Sequence, residues 1–277
     1  RRFELPLPRP AEGPEWSPSR RASLVIEAPR TLYVPRLLHR GGLAAYEPET
    51  AALLLGVAEH LRPTAMFDVG ANVGPHALVI PAVLDVPVVA FEPAAEVAAV
   101  LRQLVAINAV RCTVEETAVG ERDGTATLFI SPTDTSTSLR AGFREPTAET
   151  TVPVISLDSY VATSGLRPGL LKIDTETTEA AVLRGASELL RTRPWIVCEI
   201  LPGWGDDPID EILRPLGYRA FQIVDDVPFP ERETIGEHAE LEARNWLFAP
   251  EAPDRALWDA VARWRRAIDR CDPPRNL

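Results

Sequence analysis

Apolar residues along this chain recur with two alternating periods. Short continuous runs such as Ala65–Val69 and Val86–Phe91 are each followed by a longer stretch in which apolar residues return every three or four positions. Continuous runs suit strands buried on both faces, and the longer period suits helices packed against them. Before the first run, Pro48 to Leu61 reads as a helix with Leu53, Leu54, Val57 and Leu61 on one side. Pro48 fits a first helical turn and Pro63 ends the pattern. A second helix runs from Gly74 to about Leu84, with Pro81 set to kink or shorten it. A third, from Pro93 to about Ala109, carries Val97, Val100, Leu101, Leu104 and Val105 as one stripe. Strand Thr113–Val119 follows. Strands alternating with helices of this length imply βαβ units, a parallel sheet and right-handed crossovers.

The alternation then breaks. Gly124 to Ile130 and Thr151 to Ile155 are β-rich runs either side of a Ser/Thr-rich loop, Ser131–Thr150. They predict a hairpin-like insertion over about residues 124–157, its loop long enough to serve as a lid. Alternation resumes with strand Leu170–Ile173, helix Thr178–Arg191 and strand Trp195–Ile200. Helix Asp207–Leu216 ends at Gly217, a suitable residue for a helix C-terminus. Strands Tyr218–Val224 and Asn245–Phe248 come next. The last helix, Arg255 to Arg270, places Leu257, Trp258, Val261, Trp264 and Ile268 on one side. That stripe docks on its own sheet or on a second copy in a homodimer. Upstream, residues 1–22 read as a polar, Pro-rich arm, and Ser23 to Ile26 and Thr31 to Val34 as short β runs. The organisation is therefore an arm with edge strands (1–45), one α/β domain (46–250) and a C-terminal helix and tail (251–277).

Composition narrows the function. A net charge of −11 and a pI near 5.0 argue against a nucleic-acid surface. No apolar stretch reaches the ~18–20 residues of a membrane span. Arg1 to Arg21 lacks the apolar core of a signal peptide. Cys112, Cys198 and Cys271 are far apart and have no metal or redox spacing, which suits reduced thiols in a cytoplasmic protein. Of the 29 basic residues only Lys172 is a lysine, and there are 27 prolines. That bias, with abundant Ala, Val and Leu, points to a GC-rich bacterial genome.

The candidate chemistry centres on Phe67-Asp68-Val69-Gly70-Ala71-Asn72-Val73-Gly74, a strand running into a tight Gly-x-Asn-x-Gly turn before a helix. Such a turn leaves backbone N–H groups free at a helix mouth, where a ligand can sit. Glu92 closes the next strand about 20 residues after Gly70, the offset at which a carboxylate takes the ribose hydroxyls of a nucleotide cofactor. That spacing does not separate NAD from S-adenosylmethionine. Asp68 does: a carboxylate there repels a pyrophosphate and attracts a sulfonium and an ammonium. The methyl donor is favoured.

The chain here resembles the FkbM-type S-adenosylmethionine-dependent methyltransferases, a family named after an enzyme of macrolide biosynthesis. The likeness runs from Tyr46-Glu47 to Asn245–Pro250. It includes the Phe67–Gly74 turn, Phe91-Glu92-Pro93, Ala118-Val119-Gly120 with Gly124, Thr137-Ser138-Leu139 and Leu157-Asp158. It continues through Lys172-Ile173-Asp174-Thr175-Glu176, Val182-Leu183-Arg184-Gly185-Ala186 and Glu199. The resemblance implies a Rossmann-like class I methyltransferase: a seven-stranded, mostly parallel sheet with its last strand antiparallel and helices on both faces. It places Asp68, Gly70, Asn72 and Gly74 around the methionyl part of the donor, Glu92 and Pro93 by the ribose, and Ala118 and Val119 against the adenine. Glu47 and Tyr46 would cover the cofactor. Where the family has Gly after its Glu, this chain has Thr177, which predicts a reshaped turn after strand four.

Methyl transfer to a hydroxyl needs in-line alignment and a group to take the proton. Asp174, Glu176 and Glu199 converge on one rim of the sheet, and Lys172 shares a face with Asp174; these four are the catalytic candidates. Close acids raise each other's pKa, as a base requires. The same three acids, Asp174, Glu176 and Glu199, can alternatively hold a divalent cation. His76 near the donor reads as a cofactor-side hydrogen bonder or a base. Ser138, with Ser136 and Thr137, reaches donor or acceptor from the lid, and Trp16 and Trp204 are candidate walls. His39, His60 and His238 read as surface residues. The expected function is O-methylation of a small-molecule hydroxyl in natural-product or glycan tailoring. N- or carboxyl-methylation, or a silent nucleotide-binding scaffold, are the alternatives.

Overall fold

The computed structural model describes residues 1–11, 21–204, 206–236, 238 and 240–277, with 206–208 described by backbone alone. Its strands in chain order are β1 (Arg2–Pro6), β2 (Ser23–Glu27), β3 (Met66–Val69), β4 (Val88–Phe91), β5 (Cys112–Glu115), β6 (Ala118–Val119), β7 (Gly124–Ile130), β8 (Ala148–Ile155), β9 (Leu170–Ile173), β10 (Trp195–Glu199), β11 (Arg219–Gln222), β12 (Glu231–Arg232), β13 (Asn245–Ala249) and β14 (Arg275–Asn276). The helices are α1 (Tyr33–Gly41), α2 (Pro48–Leu61), α3 (Pro75–Leu84), α4 (Ala95–Asn108), α5 (Leu157–Ser164), α6 (Glu179–Arg184), α7 (Ser187–Leu190), α8 (Asp206–Leu213) and α9 (Arg255–Asp269).

The central sheet has eight strands in the order β12-β11-β13-β10-β9-β3-β4-β5. β10, β9, β3, β4 and β5 run parallel, and β13 is inserted antiparallel between β10 and β11. The expected seven strands are present, and the short edge strand β12 makes the eighth. Alternate residues of the parallel strands feed two apolar layers. Met66, Ala90 and Val197 pack on the side of α2 and α3, while Phe67, Phe91 and Ile173 pack on the side of Val182 and Leu189 of α6 and α7. The sheet is thus covered on both faces, which is why its strands read as unbroken apolar runs.

Several sequence expectations are corrected. Residues 2–6 are not part of a loose arm: β1 pairs antiparallel with both β2 and β14, and its Phe3 and Leu5 are buried. The run Thr31–Val34 is not a strand; Tyr33 begins α1, whose Val34 and Leu38 face the core. The third strand is split, because β6 leaves the central sheet to pair with β8 in a small sheet, β6-β8-β7. The helix expected over Thr178–Arg191 breaks into α6 and α7 at Gly185, where a Cβ would stand 2.1 Å from the Gly120 carbonyl oxygen. That close approach ties the small sheet to the helical layer. Pro81 lies inside α3, which nevertheless extends to Leu84.

α9 spends its apolar stripe on its own chain. Asp254 caps it by accepting from the Leu257 amide at 2.8 Å. The helix crosses α2 at Gly56, where a Cβ would meet Val261 Cγ2 at 2.6 Å. Arg263 and the Trp264 indole donate to the two oxygens of Glu59, and Arg265 pairs with Glu49. The stripe that suggested a second copy is therefore covered within the chain. No helix among the described residues is long and apolar enough to cross a membrane.

Candidate active site

The cleft opens at the C-terminal ends of β3, β4, β9 and β10, where an open α/β sheet holds its ligands. It measures about 410 Å³. Parallel register builds its floor: Asp68 on β3 is the partner of Lys172 on β9, and Lys172 is the partner of Val197 on β10. Side chains two residues apart share a face, so Asp68, Lys172, Asp174 and Glu199 emerge together on the α2–α3 side. Glu47, before α2, and His76, in α3, close on them from above.

The turn after β3 depends on glycine. Gly70 has φ 80°, and a Cβ there would lie 1.7 Å from the Asp174 carbonyl oxygen. The two strand-end turns therefore touch. Gly74, at φ 76°, leaves no room for a Cβ beside Leu101; it supports the turn from below and does not line the cleft. Asn72, itself at φ 52°, accepts from the Val73 amide and sends its Nδ2 to the Asp134 carbonyl of the lid at 2.9 Å. Its backbone amide donates to Glu92 Oε2 at 2.8 Å, and the Ala94 amide donates to Glu92 Oε1 at 2.9 Å. These bonds fix the Glu92 carboxyl beside Pro93, while burial pushes its pKa up to about 7. Ala118 and Val119 complete this end of the cleft.

Asp68 is different. It is 1% exposed, and neither carboxylate oxygen makes a well-formed hydrogen bond. Burial raises its pKa, and Lys172, His76 and the Ala77 amide only partly oppose that. A buried carboxylate without donors is costly unless a cation arrives.

At the other end Lys172 Nζ binds Asp174 Oδ2 at 2.9 Å. Burial would lower the lysine's pKa, but Asp174, Asp68 and Glu47 outweigh it and keep the ammonium charged. Glu47 stands 3.6 Å from His76 Nε2 and 3.7 Å from Arg244. Burial works to raise its pKa; His76, Lys172 and Arg244 overcome this and hold the carboxyl down at about 2. Glu199 pairs with Arg244 Nε at 2.5 Å through one oxygen and leaves the other unpartnered. Burial, then Asp174 and Glu176, raise its pKa. Glu176 borders the cleft, and burial followed by Asp174 and Glu179 pushes its pKa up to about 8.

The expected metal set is revised by this geometry. Among the described residues, the acids whose oxygens lie within 4.8 Å of one another are Glu47, Asp174 and Glu199. Glu176 is not among them, because its turn carries it out toward Arg144 and Arg244. The lid is stitched at two points besides Asn72: the Tyr33 amide donates to Asp134 Oδ1 at 2.7 Å, and Ser138 Oγ to the Glu176 carbonyl at 2.5 Å. Trp204 is not a wall of the cleft; it packs edge-to-face on Phe143 at 5.4 Å. Trp16 lies outside the described residues. His39 is not a plain surface residue either, since its Nε2 meets Asn276 Oδ1 at 2.8 Å and its ring meets Phe3. Arg244 was missed by sequence reasoning. It sits in a loop with no motif, one residue before a strand whose antiparallel insertion beside β10 brings it to Glu199.

The sequence profile of the methyltransferase FkbM domain matches residues 68–220, more than half of the chain. The chain belongs to the FkbM methyltransferase domain family. The matched FkbM segment spans from Asp68 through Glu92, Ser138, Asp174 and Glu199 to β11. A search of curated proteins finds no match. Among solved structures, the FkbM methyltransferase of Methylobacillus flagellatus KT is similar at 16% identity and a TM-score of 0.45, over 67% of this chain and 43% of that one. The chain thus spans less than half the length of that protein. An O-methyltransferase from Bacillus cereus in complex with SAH is similar at 13% identity and a TM-score of 0.45, over 73% and 80% of the two chains. A T. thermophilus 16S rRNA N2 G1207 methyltransferase, in complex with AdoMet and guanosine, gives 13% identity and a TM-score of 0.48, over 91% and 50%. Likenesses this distant decide nothing about substrate.

Proposed function

We propose that this chain binds S-adenosylmethionine across the Asp68–Glu92 half of the cleft and methylates a hydroxyl of a small molecule at the Glu176 half. The observation that carries the reading is Asp68, buried and with neither oxygen in a well-formed hydrogen bond among the described residues. Family membership and the glycine-dependent turn support it. A cationic sulfonium-and-ammonium ligand supplies the missing charge, and a pyrophosphate would add a second negative one. Glu92, with its oxygens aimed by the Asn72 and Ala94 amides, takes the ribose hydroxyls. Ala118 and Val119 offer the adenine an apolar wall.

When bound, the donor supplies a methyl carbon activated by its sulfonium. The protein must orient the acceptor oxygen and accept its proton. Asp174 is held by Lys172, and Glu199 by Arg244, so neither is free to act alone. Glu176 has no such partner at contact distance among the described residues, and its pKa near 8 suits proton transfer around neutral pH. We read Glu176 as the base, raised by burial and by the charges of Asp174 and Glu179 against the opposing pull of Arg244 and Arg144. Each acid of the trio Glu47, Asp174 and Glu199 already has Lys172 or Arg244 as an ion-pair partner, and we therefore read the chemistry as needing no divalent cation. A carboxylate acceptor carries no proton to remove and fits this base less well, while an amine acceptor, which must lose one, is the alternative to the hydroxyl.

Calorimetry with S-adenosylhomocysteine tests the donor reading. Micromolar binding that Asp68→Ala abolishes supports it; binding of NAD instead overturns it. Radiolabelled methyl transfer from S-adenosylmethionine to a panel of hydroxylated small molecules, with and without Glu176→Gln, tests the base.

A further inference from the structure

The turn between β9 and α6 is bent in a way its residues resist. Glu176 has φ 54° and Thr177 has φ 90°. Two consecutive non-glycine residues in this region are uncommon, and a β-branched residue there is an outlier. At Thr177 the backbone takes a conformation that glycine adopts readily, with a threonine in place. Something must hold it. Glu179, 4% exposed, puts a single carboxylate oxygen against three donors of the turn: the Thr175 amide at 2.9 Å, the Thr175 hydroxyl at 3.0 Å and the Thr177 amide at 3.1 Å. Three donors on one oxygen favour a full negative charge there, and they oppose the burial that raises the Glu179 pKa. On the far side Ser138 of the lid holds the Glu176 carbonyl.

From this geometry we infer that Glu179 is a positioning residue, which acts by clamping the strained Thr175–Thr177 turn so that the Glu176 side chain is presented to the acceptor. The inference rests on the reading of Glu176 as the base. Strain of this kind collects at functional sites because the surroundings over-determine it. Here the over-determination is one buried carboxylate. Without its charge the common acceptor of the three donors is weakened, and the turn relaxes toward ordinary angles. That rotates Glu176 away from Asp174 and out of the cleft. Glu179 also contributes through space, as one of the charges that raise the Glu176 pKa.

Two measurements on the folded chain saturated with S-adenosylhomocysteine test this without an acceptor. In Glu179→Gln, amide hydrogen exchange at Thr175 and Thr177 should quicken by ~10-fold or more while β3 and β4 amides stay protected. The carboxyl resonance of Glu176, whose pKa burial and Asp174 push up to about 8, should titrate at lower pH than in the wild type. Glu179→Ala with Thr177→Gly serves as a second pair: glycine tolerates the turn, so the double variant should regain part of the Glu176 titration shift lost in Glu179→Ala alone. Unchanged exchange at Thr177 would overturn the inference whatever the Glu176 titration does, because loss of the Glu179 charge alone also lowers that titration. Wild-type transfer activity in Glu176→Gln is a separate failure. It removes the base reading and does not touch the clamp.

Discussion

Replacing Thr177 by glycine should make the protein more stable, contrary to what a buried large-to-small change usually does. Thr177 is 3% exposed, sits at φ 90° and leaves its hydroxyl without a partner. Relieving a residue held in this region is worth about 1–3 kcal/mol. Removing an unsatisfied buried hydroxyl returns about 1–3 kcal/mol more. Against this stand about 1 kcal/mol for the lost methyl burial and about 0.4–1 kcal/mol for the freer unfolded chain of glycine. The balance is about 2 kcal/mol in favour of glycine, or a rise in Tm of roughly 4–8 °C. Calorimetric melting of Thr177→Gly beside Thr177→Ala separates the terms. Alanine removes the hydroxyl but keeps the backbone strain, so it should recover only part of the gain. A Tm for Thr177→Gly at or below wild type would show that the turn is not strained.

Other outcomes follow from the same cleft. Asp68→Asn should weaken S-adenosylmethionine binding by roughly 30- to 1,000-fold, the cost of removing one partner of a buried charge pair, and yet raise the Tm of the ligand-free protein; a falling Tm would mean the carboxylate already has a partner. Glu92 and Glu176 have folded pKa values near 7 and 8, above the ordinary 4.5, so the folded state holds their protons longer than the unfolded state does. Their stabilising contribution is full below about pH 4.5 and is lost as pH rises through 7 and 8. The ligand-free protein should therefore melt lower at pH 9 than at pH 6, with Glu92→Gln flattening the early part of that decline. Glu47, at about 2, acts in the opposite sense: its contribution is present above about pH 4.5 and disappears as pH falls toward 2. EDTA treatment should leave methyl transfer unchanged, and restoration of a lost activity by added Mg²⁺ would reverse the reading of the acid trio.

The parts of the fold that were legible in the sequence are those fixed by local pattern. The strands β3, β4, β9 and β10 are unbroken apolar runs because both faces are covered, and their turns announce themselves through Gly70, Gly74 and Glu92. Parallel alternation then places Asp68, Lys172 and Asp174 together without further information. What was not legible depends on distant partners. β1 is a strand only because β2 and β14 lie on either side of it, and nothing within residues 2–6 reports that. Thr31–Val34 has β-branched residues but is continued by a helix that buries Val34 and Leu38. Gly185 interrupts a good helical pattern because another chain segment, at Gly120, needs the space. Arg244 joins the site through tertiary approach alone, and Glu47, expected to cover the cofactor, comes close enough to Asp174 and Glu199 to stand in the acid trio where Glu176 was expected.

The isolation of Lys172 has a practical side. It is the chain's only lysine, and it is 3% exposed at the bottom of the cleft, locked to Asp174. Amine-directed reagents that would decorate most proteins at many points have no side-chain target here except one among the charged groups of the cleft. An acylating dye or cross-linker attached at this lysine would report that the cleft had opened, and a ligand seated on Asp68 would shield it. A chain with 28 arginines and one lysine thus carries a single chemical handle, placed where occupancy can be read.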